Sequence, residues 1–173
     1  NRKAQTLKIE DEHDSKSICK TIVAPKHVMI KAATPGCGKS YICEGLPSLG
    51  YTPLFVCPTN RLVLTYEEAG LTALTTYKLF KYEWNEYFRK AAQFDRKPYD
   101  ALTFDEVYSK DIEVLSMIQS CIQNNTDTLI IATGDSKQLQ PTVEITNQKV
   151  KYDEYMDTCI AQIFEYEIFF ANK

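Results

Sequence analysis

The chain has 173 residues, of which 44% are apolar and 25% charged, with a net charge of −3. Those values are ordinary for a globular protein and suit one domain with a single sizeable core. The acidic balance argues against a domain that coats nucleic acid by bulk charge, but a local groove with a few basic residues stays open.

No apolar run is long enough to span a bilayer, and the polar N-terminus does not resemble a secretory signal. A chain that begins at Asn1 is expected to be a cut fragment or a processed product. Residues 1–22, with the acidic run Glu10-Asp11-Glu12 and then Asp14, read as a solvated arm or helix without chemistry. From His27 to Ala32 a short apolar run leads into a Pro/Gly-containing loop, as a strand running into a turn does. A helix is expected from Ser40 to Leu46, ended by Pro47 and Gly50. Pro53–Cys57 reads as a strand and 61–68 as a helix stopped by Gly70, with Leu71–Thr75 a weaker strand. Tyr99–Phe104 reads as a strand, and Asp111–Gln123 as a helix with Ile112, Leu115 and Ile118 on one face. Thr128–Ala132 is the most β-like run of the chain. Short apolar strands alternating with helices predict an α/β domain, a parallel sheet with helices on both faces and ligands at the carboxyl edge.

The six cysteines, Cys19, Cys37, Cys43, Cys57, Cys121 and Cys159, form no CxxC pair, and only His13 and His27 could join them, so a zinc site is not expected. They read as reduced, buried thiols of an intracellular protein.

Ala33-Thr34-Pro35-Gly36-Cys37-Gly38-Lys39-Ser40 fits the P-loop pattern, with Ala33 where glycine is usual. Phosphate oxygens need several converging N–H donors, which backbone amides of a tight loop supply, and glycine lets that backbone approach closely. Pro35, Gly36, Cys37, Gly38, Lys39, Ser40 and Tyr41 are therefore the candidate ATP-binding residues. The Lys39 ammonium reaches the β- and γ-phosphates and the Ser40 hydroxyl holds Mg²⁺. The competing reading, a chance Gly-rich turn, does not account for its place between a predicted strand and a predicted helix. Leu102-Thr103-Phe104-Asp105-Glu106 is an apolar strand ending in two carboxylates. Alone the pair reads equally as two solvated acids. Behind a P-loop, Asp105 is the candidate Mg²⁺ ligand and Glu106 the group that orients and deprotonates the attacking water.

The following strand runs into Thr133-Gly134-Asp135-Ser136-Lys137-Gln138-Leu139-Gln140-Pro141. Gly-Asp-x-x-Gln-Leu-x-Pro in that place resembles motif III of superfamily 1 helicases, with the closest feel to viral and Pif1/RecD-like members. The resemblance spans about residues 26–141 and implies a RecA-like first ATPase lobe over 23–165. It implies that Gln138 senses the γ-phosphate, with Asp135 as a supporting contact. Cys57-Pro58-Thr59-Asn60-Arg61-Leu62 resembles motif Ia, which implies that Pro58, Thr59 and Arg61 contact single-stranded nucleic acid, with Asn60 as the helix N-cap. Leu74-Thr75-Thr76-Tyr77 resembles the next strand-contacting segment, where relatives often carry histidine at the position of Tyr77. Tyr77 either stacks on a base or packs. Tyr108 departs from the small residue often seen there.

The aromatic stretch Tyr77, Phe80, Tyr82, Trp84, Tyr87 and Phe88, interleaved with basic residues, is expected to pack rather than to form a stacking platform. Residues 166–173 read as a last strand or the start of a linker to a second RecA-like lobe, which in this family shares the nucleic-acid groove and supplies arginine fingers. No arginine follows Gln138, so slow hydrolysis and no unwinding are expected of the chain alone. Other replication proteins are possible partners by the same resemblance, and the expected place is intracellular: cytoplasm or nucleus, of a host cell if viral. Two rival readings stand: a non-catalytic helicase-like interaction module, and another P-loop enzyme. A GTPase should carry Asn-Lys-x-Asp, and the only Asn-Lys pair ends the chain; a nucleotide kinase needs a lid with several arginines, and only Arg2, Arg61, Arg89 and Arg96 exist.

Overall fold

The computed structural model describes residues 5–6, 15–32, 39–79, 99–109, 113–124, 127–135 and 147–170. Seven strands form one sheet: β1 (Gln5–Thr6), β2 (His27–Ala32), β3 (Pro53–Cys57), β4 (Thr72–Thr75), β5 (Ala101–Phe104), β6 (Leu129–Asp135) and β7 (Tyr166–Phe170). Their order is β1-β7-β2-β6-β5-β3-β4, and every pairing is parallel. The helices are α1 (Ser15–Val23), α2 (Lys39–Ser48), α3 (Asn60–Glu68), α4 (Glu113–Asn124) and α5 (Asn147–Ile163). This is the α/β architecture that the alternation of strands and helices predicts, in the RecA-like P-loop form that the helicase resemblance implies.

Strand parity divides the interior in two. Val28, Ile30, Phe55, Cys57, Leu129 and Ile131 face α1, α2 and α3, whose Ile18, Cys19, Ile22, Ile42, Leu46 and Tyr66 close over them. Met29, Leu54, Val56, Leu102, Phe104 and Ile130 face the other way, under Leu115, Ile118 and Cys121 of α4 and Met156 and Ile160 of α5. A sheet buried on both faces needs near-continuous apolar strands, which these are. The faces also follow the direction of travel. Connections through α1, α2 and α3 move across the sheet one way, and those through α4 and α5 move back. Right-handed crossovers place opposite directions of travel on opposite faces.

Helices α2 and α3 stop by the same device. Gly50 (φ 91°) and Gly70 (φ 83°) lie in the left-handed region. At α2, Tyr51 N–H donates to Leu46 O (3.0 Å) and Gly50 N–H to Pro47 O (3.0 Å); at α3, Leu71 N–H donates to Tyr66 O (3.0 Å) and Gly70 N–H to Glu67 O (3.0 Å). Both are Schellman motifs, in which glycine takes the turn that an L side chain resists. The Pro47 and Gly50 stop expected for α2 is therefore carried by Gly50, with Pro47 still inside the last turn.

Some expectations change. Residues 15–23 form a helix, one of the two readings of this stretch, but not a solvated one: α1 buries Ile18, Cys19 and Ile22 against α2 and the sheet. The signal was Ile18-Cys19-x-x-Ile22, an apolar stripe at helical spacing beneath the charges. Of the two readings of residues 166–170, a last strand or the start of a linker, the strand is the one found: they form β7, which pairs with both β2 and β1. Strand β6 extends through Asp135, so the Gly134-Asp135 of the helicase-like segment ends a strand instead of opening a loop. The acidic run at 10–14, Ile112 and the aromatics from Phe80 to Phe88 lie outside the described residues.

None of the five described cysteines is in a disulfide, and burial pushes the Cys19 thiol up to about 11. Cys43 and Cys159 are only half-buried, against the expectation that all are buried. Ile22 is fully buried, so Ile22→Ala is expected to lose about 2–5 kcal/mol of stability in urea unfolding. A solvated N-terminal helix would lose almost nothing.

Candidate functional site

Because all strands are parallel, their carboxyl ends share one edge of the sheet. Ala32 is in register with Asp135 and with Phe170, Phe104 with Ala132 and with Val56, and Cys57 with Thr75. Every candidate residue named from sequence follows one of these ends: Pro35 to Tyr41 after β2, Pro58 to Arg61 after β3, Thr76 and Tyr77 after β4, Asp105 and Glu106 after β5, and Gln138 after β6. That edge is where ligands enter parallel α/β sheets. Pro35, Gly36, Cys37, Gly38 and Gln138 themselves lie outside the described residues. Lys39, Ser40 and Tyr41 form the first turn of α2, with their side chains outside the description. The end of a helix that carries the unsatisfied N–H groups and the positive pole of the dipole thus follows β2 directly.

Asp105 is the best-defined group at the edge, 4% exposed. Its N–H donates to Val56 O at 2.8 Å, which fixes the backbone against β3. Its carboxylate accepts two hydroxyls. Thr133 Oγ1 donates to Oδ1 at 2.7 Å, and the Tyr66 phenol donates to Oδ2 at 2.7 Å. Parity explains the meeting: Thr133 continues the Leu129, Ile131 face of β6, the face over which Tyr66 packs. Since β6 runs past the end of β5, Thr133 lies beside the residue at which the neighbouring chain leaves the sheet. Burial first, and then the adjacent Asp105 carboxylate, push the Tyr66 phenol far above its ordinary range. Neither Tyr66 nor Thr133 was singled out from the sequence. Their roles arise from contacts 39 and 28 residues away, and no local pattern announces them.

Glu106, next in the chain, is half-buried and holds φ at 51°. A non-glycine residue in the left-handed region costs about 1–2 kcal/mol.

Oxygen donors are the right chemistry for Mg²⁺, a hard cation that is held by one or two protein oxygens together with substrate phosphates. Among the described residues no group of three His, Cys, Asp or Glu side chains forms a cage. The buried Asp105 carboxylate at the strand end meets the requirement, because a carboxylate oxygen has two acceptor positions and can take a hydroxyl and a cation together.

A second network lies across the sheet. Lys31, on the face opposite Asp105, is 9% exposed. Its ammonium pairs with Glu167 of β7 (3.0 Å) and Asp157 of α5 (3.5 Å) and sits 5.6 Å from the centroid of the Phe169 ring. The Tyr108 phenol, from the short 3-10 turn Val107–Ser109, donates to Asp157. A lysine inside the apolar run His27-Val28-Met29-Ile30-Lys31 was the available signal, since a buried ammonium requires partners.

At the expected nucleic-acid segment, the N-cap of α3 is Thr59, not Asn60: Thr59 is extended (φ −135°, ψ 155°) and its Oγ1 accepts from Leu62 N–H at 3.3 Å. Asn60 is the first helical residue. Threonine and asparagine both cap well, so composition alone could not choose between neighbours. Thr59 and Arg61 are exposed and Pro58 is half-buried. Thr76 Oγ1 donates to Cys57 O at 3.1 Å, tying the ends of β4 and β3 together. Tyr77 is 74% exposed, so it does not pack into the domain.

A protein-family model described as an AAA domain matches residues 15–144, well over half of the chain. No curated protein matches. Among the described residues, no helix is long and apolar enough to cross a membrane.

The Tyr108 ring also lies over Gly134: a Cβ there would come within 2.5 Å of Tyr108 Cδ2 and 2.9 Å of Cε2. Gly134→Ala is therefore expected to cost about 1–3 kcal/mol in urea unfolding. The same substitution should cost clearly less in a Tyr108→Ala background; an equal cost in both backgrounds would show that the ring is not the obstacle.

Proposed function

We propose that this chain, which belongs to the AAA domain family of P-loop NTPases, is the ATP-binding first lobe of a superfamily 1 nucleic-acid helicase. The observation that carries the reading is Asp105, a buried carboxylate held by two hydroxyls at the end of β5, with β6 between it and the strand that leads into the P-loop. A buried carboxylate at the edge where ligands enter a parallel sheet is a candidate for functional use.

In this reading the backbone N–H groups of Gly36 to Gly38 and of the first turn of α2 bind the phosphates, with Pro35 shaping the loop, and the Lys39 ammonium reaches the β- and γ-phosphates. Asp105 and the Ser40 hydroxyl would hold Mg²⁺, which would supply positive charge to offset the negative charge that develops on the transferring phosphoryl group. Glu106 orients the attacking water and takes its proton, and its turned backbone lets it do so without displacing Asp105. Gln138 contacts the γ-phosphate, and Asp135 supports it. Single-stranded nucleic acid passes the ends of β3 and β4, where Thr59 and Arg61 contact phosphates and the exposed ring of Tyr77 stacks on a base. In the parent protein a second RecA-like lobe completes the groove and the hydrolytic site, and hydrolysis drives translocation and unwinding. A lobe of this kind works inside a cell, beside other replication proteins.

Binding is the decisive readout, since it needs this lobe alone. The wild-type chain is expected to bind a fluorescent ATP or ADP analogue in the presence of Mg²⁺. Lys39→Ala should weaken that binding at least tenfold with an unchanged melting temperature, and Glu106→Gln should leave it intact. Absence of nucleotide binding by the wild type, or no loss with Lys39→Ala, would favour a non-catalytic interaction module. A single-stranded oligonucleotide whose affinity falls on Arg61→Ala and Tyr77→Ala would distinguish the helicase reading from other P-loop enzymes.

A further inference from the structure

We infer that Tyr66 is a positioning residue for Asp105: its phenol hydroxyl sets the carboxylate orientation that meets the nucleotide-bound cation, and so ties cation affinity to helix α3. This rests on the reading of Asp105 as the Mg²⁺ ligand.

The Asp105 carboxylate stands one residue beyond β5, where the strand pairing ends and the next residue turns into the left-handed region. A side chain in such a place rotates about two torsions unless something stops it. Two donors stop it here, one on each oxygen, from different elements: Thr133 of β6 on Oδ1 and Tyr66 of α3 on Oδ2. Together they hold both oxygens and so the plane of the carboxylate.

The Tyr66 hydroxyl is itself held. Its ring lies on Phe55 with centroids 4.5 Å apart and planes 16° apart, and Phe55 is fully buried in β3. The Tyr66 carbonyl accepts Ala69 N–H (3.1 Å) and Leu71 N–H (3.0 Å), which close α3 and lead into β4. The phenol therefore cannot swing without disturbing both the stack and the helix end. Packing alone does not call for the hydroxyl, because a phenylalanine would fill the same space. The oxygen is the informative atom, and its partner is Asp105. Helix α3 is capped by Thr59 and carries Arg61 in its first turn, so the element that positions Asp105 also carries the candidate nucleic-acid contacts.

The test is Tyr66→Phe in the full chain, which keeps the ring and its stack and removes one donor. Two quantities are read: affinity for a fluorescent nucleotide without divalent cation, and the Mg²⁺ concentration at half-saturation of the cation-dependent gain in affinity. The expected result is cation-free affinity within twofold of wild type and a Mg²⁺ midpoint raised about tenfold, in keeping with a charge-assisted hydrogen bond. A midpoint equal to or below that of wild type overturns the inference, as does an equal loss of affinity with and without Mg²⁺. Phe55→Leu, which loosens the stack and keeps the hydroxyl, should raise the Mg²⁺ midpoint by a smaller factor, and a wild-type midpoint there would also count against it. Should wild type show no Mg²⁺-dependent nucleotide binding, the reading of the site fails and the role of Tyr66 falls with it. Wild-type binding with an unaffected Tyr66→Phe removes the role of Tyr66 alone.

Discussion

Parallel pairing through right-handed crossovers is the constraint on which the rest of this structure depends. A right-twisted strand followed by a helix returns to its sheet in one hand only. Applied to the order β1-β7-β2-β6-β5-β3-β4, that rule sends α1, α2 and α3 over one face and α4 and α5 over the other. It also brings the ends of all strands to one edge. The segments expected to bind phosphate, cation and nucleic acid are far apart in sequence, yet each leaves the sheet at that edge. No special contact is needed to gather them. The hydrogen bonds to Asp105 and the ion pairs of Lys31 refine an arrangement that chain direction has already made.

Parity then decides which polar side chains can meet. Asp105, Thr133 and Tyr66 share the face of α1 to α3, whereas Lys31, Glu167, Asp157 and Tyr108 gather on the face of α5. The sheet therefore separates a carboxylate held by neutral hydroxyls from an ammonium held by two carboxylates. In the first set the hydroxyls of Thr133 and Tyr66 carry no charge of their own, so they orient the carboxylate without neutralising it. The second set is matched charge to charge, which stabilises a buried lysine at a strand end and joins β2, α5 and β7.

Much of the fold was legible because its signals are local. Apolar runs marked β2, β3, β5 and β6, and Gly50 and Gly70 marked the ends of α2 and α3. The order of the motifs placed the candidate site after the strands. What could not be read was of two kinds. Some signals were present and outweighed: the Ile18-Cys19-x-x-Ile22 stripe lay under a highly charged stretch, and Lys31 stood inside an apolar strand. Others had no local signal. Tyr66 looks in sequence like any tyrosine of an amphipathic helix, and its link to Asp105 exists only once β3, β5 and α3 are stacked. Thr133 takes its place from β6 outrunning β5, a length that the apolar pattern, stopping at Ala132, did not reveal.

The register of β2 has a consequence for the order of assembly. His27 pairs with Ile130 and Val28 with Tyr166, so the strand leading into the P-loop is flanked by two of the last strands to be synthesised. The β3-α3-β4 unit, closed by the Gly70 turn, needs only local chain to form, and β5 can join it next. Non-local parallel pairings are the slow steps of folding. On a growing chain, β2 must therefore wait for its first neighbour until β6 has emerged, and for its second until the residues from Tyr166 have emerged. The strand that leads into the P-loop is made well before the strands that flank it, and during that interval its apolar side chains depend on being shielded from other chains.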